Sequence, residues 1–329
     1  MFKREFLGEF SGTFLLVLFG CGTVAVDTLF GEHKSLALIA LFWGIGVTLS
    51  IYLTRHLCCA HLNPAVTLAM ASSGRMTWKK VPTYLIAQFL GAFAAGWIIY
   101  LLFFTSIQDF EAKEIQKLKE PAAVQACNCV KSADESQKSE QAEAVQTAED
   151  GQNATQPEEQ KGDGQKVAQS GKQAGDAAAV EAAVKLRTGR MFGEYYPVKT
   201  VPLWLACFAE GFGTFLLVLL IFALTEGCNV GRPSSDSAPL WIGLTVSSVI
   251  CLVAPLTQAG LNPARDLGPR VVAMLAGWGK YALPDACGGF FWVYILAPVA
   301  GGIVAALLFT KVYEPLMNKK PGDCCCGKH

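Results

Sequence analysis

Long apolar blocks alternate with short polar breaks along most of this chain. Blocks of roughly 20 residues run at 5–26, 36–57, 81–104, 201–224, 239–256 and 290–311. At about 1.5 Å per residue, each is long enough to cross a hydrocarbon layer of about 30 Å. The pattern predicts an all-α membrane protein with six transmembrane helices. The second and fifth blocks are each followed by the same short motif, Asn63-Pro64-Ala65 and Asn262-Pro263-Ala264. Asparagine is a strong N-cap and proline is favoured at the first helical position, so each motif predicts a helix start. The segments that follow, 64–74 and 263–276, are too short to span. They predict two re-entrant half-helices whose free N–H groups and positive dipole ends point into the membrane interior, the geometry of a pore.

The chain also repeats itself. Residues 9–18 and 210–219 agree at eight of ten positions, from Glu9 and Glu210 to Leu18 and Leu219, and the Asn-Pro-Ala motifs follow at nearly equal distances. Each copy holds three spans, an odd number, so the second inserts upside down. Inverted repeats with broken helices meeting at the midplane mark channels and transporters. The first repeat occupies 1–105 and the second 191–313. Between them, 106–190 is rich in Lys, Glu, Gln, Ala, Ser and Gly, a composition that buries no core and reads as a disordered or partly helical insertion. A Cys-containing tail at 314–329 closes the chain.

Composition adds little beyond this. The chain is 52% hydrophobic with 27 basic and 27 acidic residues. Zero formal charge gives no reason to expect a nucleic-acid partner; the lipid bilayer is the expected one. Of the 12 cysteines, Cys21, Cys207 and Cys251 stand singly in apolar blocks, where cysteine acts as a small hydrophobe. Cys58 and Cys59 precede the first motif, and are either inert or points of attack for thiol reagents. Cys324-Cys325-Cys326 with His329 lacks zinc-type spacing. No metal, cofactor loop or nucleophile–base pair is expected, and no enzyme. Lys and Arg in short loops (Lys3, Arg4, Arg55, Arg75, Lys79, Lys80, Arg232, Lys311) fall on one side of six alternating spans, against Lys34, Arg270 and Lys280 on the other. Both termini are therefore expected in the cytoplasm, in a plasma or inner membrane, with the insertion outside.

These features resemble the major intrinsic proteins, the aquaporins and glycerol facilitators. The strings His61-Leu62-Asn63-Pro64-Ala65-Val66-Thr67 and Asn262-Pro263-Ala264-Arg265-Asp266-Leu267-Gly268-Pro269 carry the resemblance. Asp266 after Arg265 is similar to the glycerol-facilitator form, as is Met191-Phe192-Gly193-Glu194-Tyr195-Tyr196-Pro197. The resemblance implies a homotetramer with one pore per subunit and places Arg265 at an outer constriction. It puts Trp43, Ile250 and Ala259 around that arginine, a filter closer to the nodulin-26-like branch, without the His at position 250 of a strict water channel. An arginine merely capping or snorkelling is the alternative.

A neutral solute crossing such a pore exchanges its water hydrogen bonds for protein ones. Asn63 and Asn262 offer donors. Unwound backbone at Cys59, Ala60 and His61, and at Gln258, Ala259 and Gly260, offers carbonyls, tolerable in a membrane where it lines a cavity. Glu9 and Glu210 are expected to accept N–H bonds from the unwound loops and, with Asp266, to support them; carboxylates near headgroups are the alternative. The function expected is a passive channel for small neutral solutes, glycerol foremost, with water and possible urea, ammonia or metalloid acids. A non-conducting structural or adhesion protein of the same fold, and a coupled transporter, are the competing classes.

Overall fold

A computed structural model describes residues 2–119, 166–283 and 289–317, with side chains described for all of these except 2 and 166–177. The Cys324–Cys326 run and His329 lie outside the described residues. The described residues are helical, without strands. In chain order they form α1 (Phe2–Phe30), α2 (Leu36–Thr54), α3 (Pro64–Ser72), a single 3-10 turn at Trp78–Lys80, α4 (Val81–Lys119), α5 (Lys166–Gly189), α6 (Leu203–Thr225), α7 (Ala238–Thr257), α8 (Pro263–Ala273) and α9 (Gly289–Leu316). Among the described residues six of these, α1, α2, α4, α6, α7 and α9, are long and apolar enough to cross a membrane. The half-helices α3 and α8 complete two repeats of the same order.

The chain forms two compact units, Met1–Ile107 with Leu186–His329, and Gln108–Lys185. The first unit holds the six spans and both half-helices. Transmembrane helices gain no hydrophobic drive from meeting one another in lipid, so close approach through small residues takes its place. At the crossing of α2 and α7, a side chain on Gly44 would meet the Gly243 carbonyl, and one on Gly243 the Gly44 carbonyl. Reciprocal bonds pin the crossing: Thr48 Oγ1 donates to Pro239 O at 3.3 Å and Ser247 Oγ to Ala40 O at 2.9 Å. The mates are at matching places in opposite repeats, as an inverted duplication requires. α9 packs along α6 and over α3.

In the second unit the described residues of the insertion are helical, one of the two readings its composition left open. α4 runs on past residue 104 to Lys119, and α5 covers Lys166–Gly189. The segment after 108 (Asp109-Phe110-Glu111-Ala112-Lys113-Glu114) is made of good helix formers and carries spaced charge pairs. Lys117 bonds Glu114 at 2.9 Å and Lys185 bonds Glu111 at 2.7 Å. The second half-helix is shorter than the expected 263–276: after Ala273 a wider turn at Met274–Trp278 leads to Gly277 at φ 110° and Gly279 at φ 51°, conformations glycine adopts without strain.

Candidate functional site

The site is built where the two half-helices begin. Asn63 and Asn262 are extended N-caps (φ −156° and −143°) with Pro64 and Pro263 at the first helical position. Each side-chain oxygen caps its own helix: Asn63 Oδ1 accepts from Ala65 N at 2.8 Å, and Asn262 Oδ1 from Ala264 N at 3.1 Å and Arg265 N at 3.3 Å. Each amide nitrogen then reaches across to the other repeat. Asn63 Nδ2 donates to Leu261 O at 2.9 Å and Asn262 Nδ2 to Leu62 O at 2.8 Å. An amide NH₂ has two protons. One proton of each closes the junction between repeats, leaving the other for a solute.

The backbone leading into each half-helix is strained. Ala60 and Leu62 in the first repeat, and Gln258, Ala259 and Leu261 in the second, have φ between 51° and 65°. None is glycine, and the left-handed region costs such residues about 1–2 kcal/mol each. The two repeat-equivalent glutamates hold it there. Both are fully buried. Glu9 accepts from His61 N and Leu62 N, both at 2.8 Å, and from Gln88 Nε2 at 2.8 Å. Glu210 accepts from Gly260 N at 2.8 Å and Leu261 N at 2.7 Å. Gln88 also donates to Thr67 Oγ1, which faces His61 Nδ1 at 3.3 Å, so the first loop is braced more heavily. Tyr294 Oη, donating to Thr257 O at 2.9 Å, braces the second.

Beside the junction, Trp43, Ile250, Ala259 and Arg265 come together. Each is at most 4% exposed. The Arg265 guanidinium stacks on the Trp43 ring, 4.1 Å from its centre. Gly20 on α1 gives that ring its place, since a Cβ there would overlap it. Arg265 Nη1 is also ion-paired with Glu194 Oε1, a contact in which both side chains are almost wholly buried. Burial pushes the Glu194 carboxyl above the ordinary carboxylate range, and the Arg265 guanidinium pulls it part of the way back.

Trp43 and Ile250 line two cavities. One, about 370 Å³, is lined by Cys59, Ala60, His61, Asn63, Ala259, Gly260, Asn262 and Arg265. Its lining also includes the apolar side chains of Leu16, Val47, Ile51, Leu217 and Val246. Arg55 and Arg75 stand at its far mouth, where Arg55 pairs with Asp236 at 2.7 Å and Arg75 with Glu226 at 2.6 Å and Glu314 at 2.7 Å. The second cavity, about 410 Å³, is a recess whose lining includes Asp27, Arg187, Arg190 and Glu194.

Several placements differ from the sequence reading. Gln258 lines the second recess, and its side chain accepts from Tyr195 N at 2.7 Å. Asp266 braces a different segment from Glu9 and Glu210, accepting from Glu194 N at 2.8 Å. Arg270, counted among loop charges, is 1% exposed inside α8. The sequence reading did not single out Glu194 as a partner of Arg265. Its only signal was an acidic residue in the segment before span four, and nothing in a linear pattern says where that segment folds back.

Comparison with known proteins agrees with this geometry. The family profile described as "Major intrinsic protein" matches residues 1–148 and 167–309. The chain is 33% identical over 328 residues to the glycerol uptake facilitator protein of Haemophilus influenzae, covering 98% of each chain. It is 28% identical over 318 residues to aquaporin-7 of Mus musculus, covering 97% of this chain and 82% of that one. The X-ray structure of the aquaglyceroporin from Plasmodium falciparum superposes with a TM-score of 0.68 at 24% identity, covering 97% of this chain and 99% of the other, a likeness of fold. With its six spans, its paired half-helices and a family match over most of its length, the chain is a multi-pass membrane protein that belongs to the major intrinsic protein family.

Proposed function

We propose that this chain, a channel for small neutral solutes rather than an enzyme, conducts glycerol passively, together with water and, less selectively, urea, ammonia or metalloid acids. The observation that carries the reading is the mixed lining of one cavity: polar Asn63, Asn262, Arg265 and the loop residues Ala60, Leu62, Ala259 and Leu261 share it with apolar Leu16, Val47, Leu217 and Val246. Glycerol has the matching shape, hydroxyls along one side and CH groups along the other. At the constriction Arg265 offers several donors in a fixed fork to a hydroxyl. Trp43 and Ile250 receive the carbon side, and small Ala259 leaves width. The names of the relatives, glycerol uptake facilitators among them, support the same substrate class.

Ions are held out by the same parts. Two helix N-termini turn their positive ends to the lumen, and Arg265 adds a full charge in a low-dielectric surround, so a cation in single file meets a barrier. In this reading residues 1–105 and 191–313 form the pore, and 106–190 is an extracytoplasmic insertion that conduction does not need. Both termini face the cytoplasm, and four copies assemble with one pore each. The test is stopped-flow light scattering on proteoliposomes in gradients of each solute. Glycerol permeability well above that of empty vesicles is expected; equality with them refutes the proposal.

A further inference from the structure

We infer that Arg270, which lines neither cavity, is a positioning residue that sets the filter's solute preference by fixing Glu194 against Arg265. The inference rests on the channel reading and extends it to residues outside the lumen. Arg270 is buried among the rings of Tyr195, Tyr294 and Phe290, at 5.0, 5.8 and 6.0 Å. A guanidinium taken so far from water is retained only with its donors satisfied. Nε donates to Asp266 Oδ2 at 3.0 Å, Nη2 to Asp266 Oδ1 at 2.6 Å and to Glu194 O at 2.7 Å, and Nη1 to Ala282 O. Asp266 Oδ1 in turn accepts from Glu194 N at 2.8 Å.

Both polar groups of the Glu194 backbone are thus held by one Asp–Arg pair. Gly193 makes the approach possible: a Cβ there would lie 2.7 Å from the guanidinium carbon. The following residue is also tied, through Tyr195 N to Gln258 Oε1. With its backbone fixed on both sides, Glu194 is set where its side chain reaches Arg265 Nη1. Asp266, Arg270 and Arg265 all belong to α8. The helix that carries the filter arginine therefore also holds that arginine's counter-charge in register. Freed of the clamp, Glu194 withdraws part of the time, and Arg265 presents more unpaired donors to the single file.

The test is a cycle of Arg270→Lys, Glu194→Gln and the double variant in proteoliposomes, reading the ratio of glycerol to water permeability. Lysine keeps the charge beside Asp266 but lacks the fork that reaches two carbonyls as well. Each single variant is expected to change the ratio by roughly threefold or more in the same direction, the size of ordinary coupling between neighbours. The double variant should match Glu194→Gln alone. A purely structural Arg270 lowers both permeabilities in proportion and leaves the ratio unchanged; that result, or additive shifts in the double variant, overturns the inference. If Arg270→Lys fails to reach the membrane, Asp266→Asn loosens the same clamp from its other end and gives the same readout. A wild type without glycerol flux refutes the glycerol reading alone, and the cycle is then read from urea against water.

Discussion

Glu210→Gln tests how the strained loop is held. The substitution keeps shape and volume and removes one acceptor. In the wild type, the two carboxylate oxygens take Gly260 N at 2.8 Å and Leu261 N at 2.7 Å. Bonds from an N–H to a charged acceptor contribute about 1.5–3 kcal/mol each, so the pair supplies about 3–6 kcal/mol. Gln258, Ala259 and Leu261, with φ of 65°, 64° and 54°, cost about 1–2 kcal/mol each, also about 3–6 kcal/mol together. The two sums are of the same size, so the loop stays curled because the carboxylate holds it. Glutamine keeps one oxygen and turns an NH₂ toward the second donor. The loss of one bond together with the orphaned N–H amounts to roughly 3–5 kcal/mol. At 1.4 kcal/mol per factor of ten, that shifts the loop equilibrium by about a hundredfold or more. The assay is glycerol flux per folded channel in proteoliposomes, with folding checked by gel filtration and a thermal melt. A drop of at least roughly tenfold is expected, larger than for Glu9→Gln, whose loop keeps the contact of His61 Nδ1 with Thr67 Oγ1. Flux within twofold of wild type, in a protein that elutes normally, refutes the reasoning.

Other predictions concern the filter and the insertion. Gly20→Ala pushes the Trp43 ring off its seat toward the lumen, so glycerol permeability should fall more than water permeability in the same vesicles. Arg265→Val removes the charge and the ring contact together, and proton leak in a pH-jump assay on sealed vesicles should rise above the wild-type level; an unchanged leak assigns the barrier to the Asn63 and Asn262 region alone. Deletion of 110–185 should leave flux per folded channel within about twofold, since loops tolerate changes of length; a folded deletion without flux shows that the insertion takes part in conduction.

What could be read from the sequence had a local or repeated signature. The Asn-Pro pairs announced the half-helices because capping is decided by neighbours along the chain. Glu9 and Glu210 stood out because a carboxylate inside an apolar block recurs at the same place in both repeats. Trp43 and Ile250 could be placed only through resemblance. The groups that escaped notice act across long separations. Glu194 meets Arg265, and Arg270 meets Ala282 O, through the path of connecting segments that carry no periodicity. Gln258 was read for its backbone carbonyl, and the bond from Tyr195 N to its side chain had no signal in the sequence. The helical continuation of α4 to Lys119 was hidden by composition: residues too polar to build a core are still good helix formers, and hydropathy speaks only to the first property.

The central claim is that solute passes the constriction formed by Trp43, Ile250, Ala259 and Arg265. Stopped-flow permeabilities of wild type and of the double variant Ile250→His, Ala259→Phe, measured for glycerol and water in matched proteoliposomes, test it most directly. A phenyl ring added at Ala259 and a polar imidazole in place of the Ile250 side chain should suppress glycerol by roughly tenfold or more while water falls far less, since a narrowed, more polar opening rejects the wider solute first. Equal loss of both permeabilities, or glycerol flux unchanged in a folded variant, contradicts the assignment of these residues as the filter.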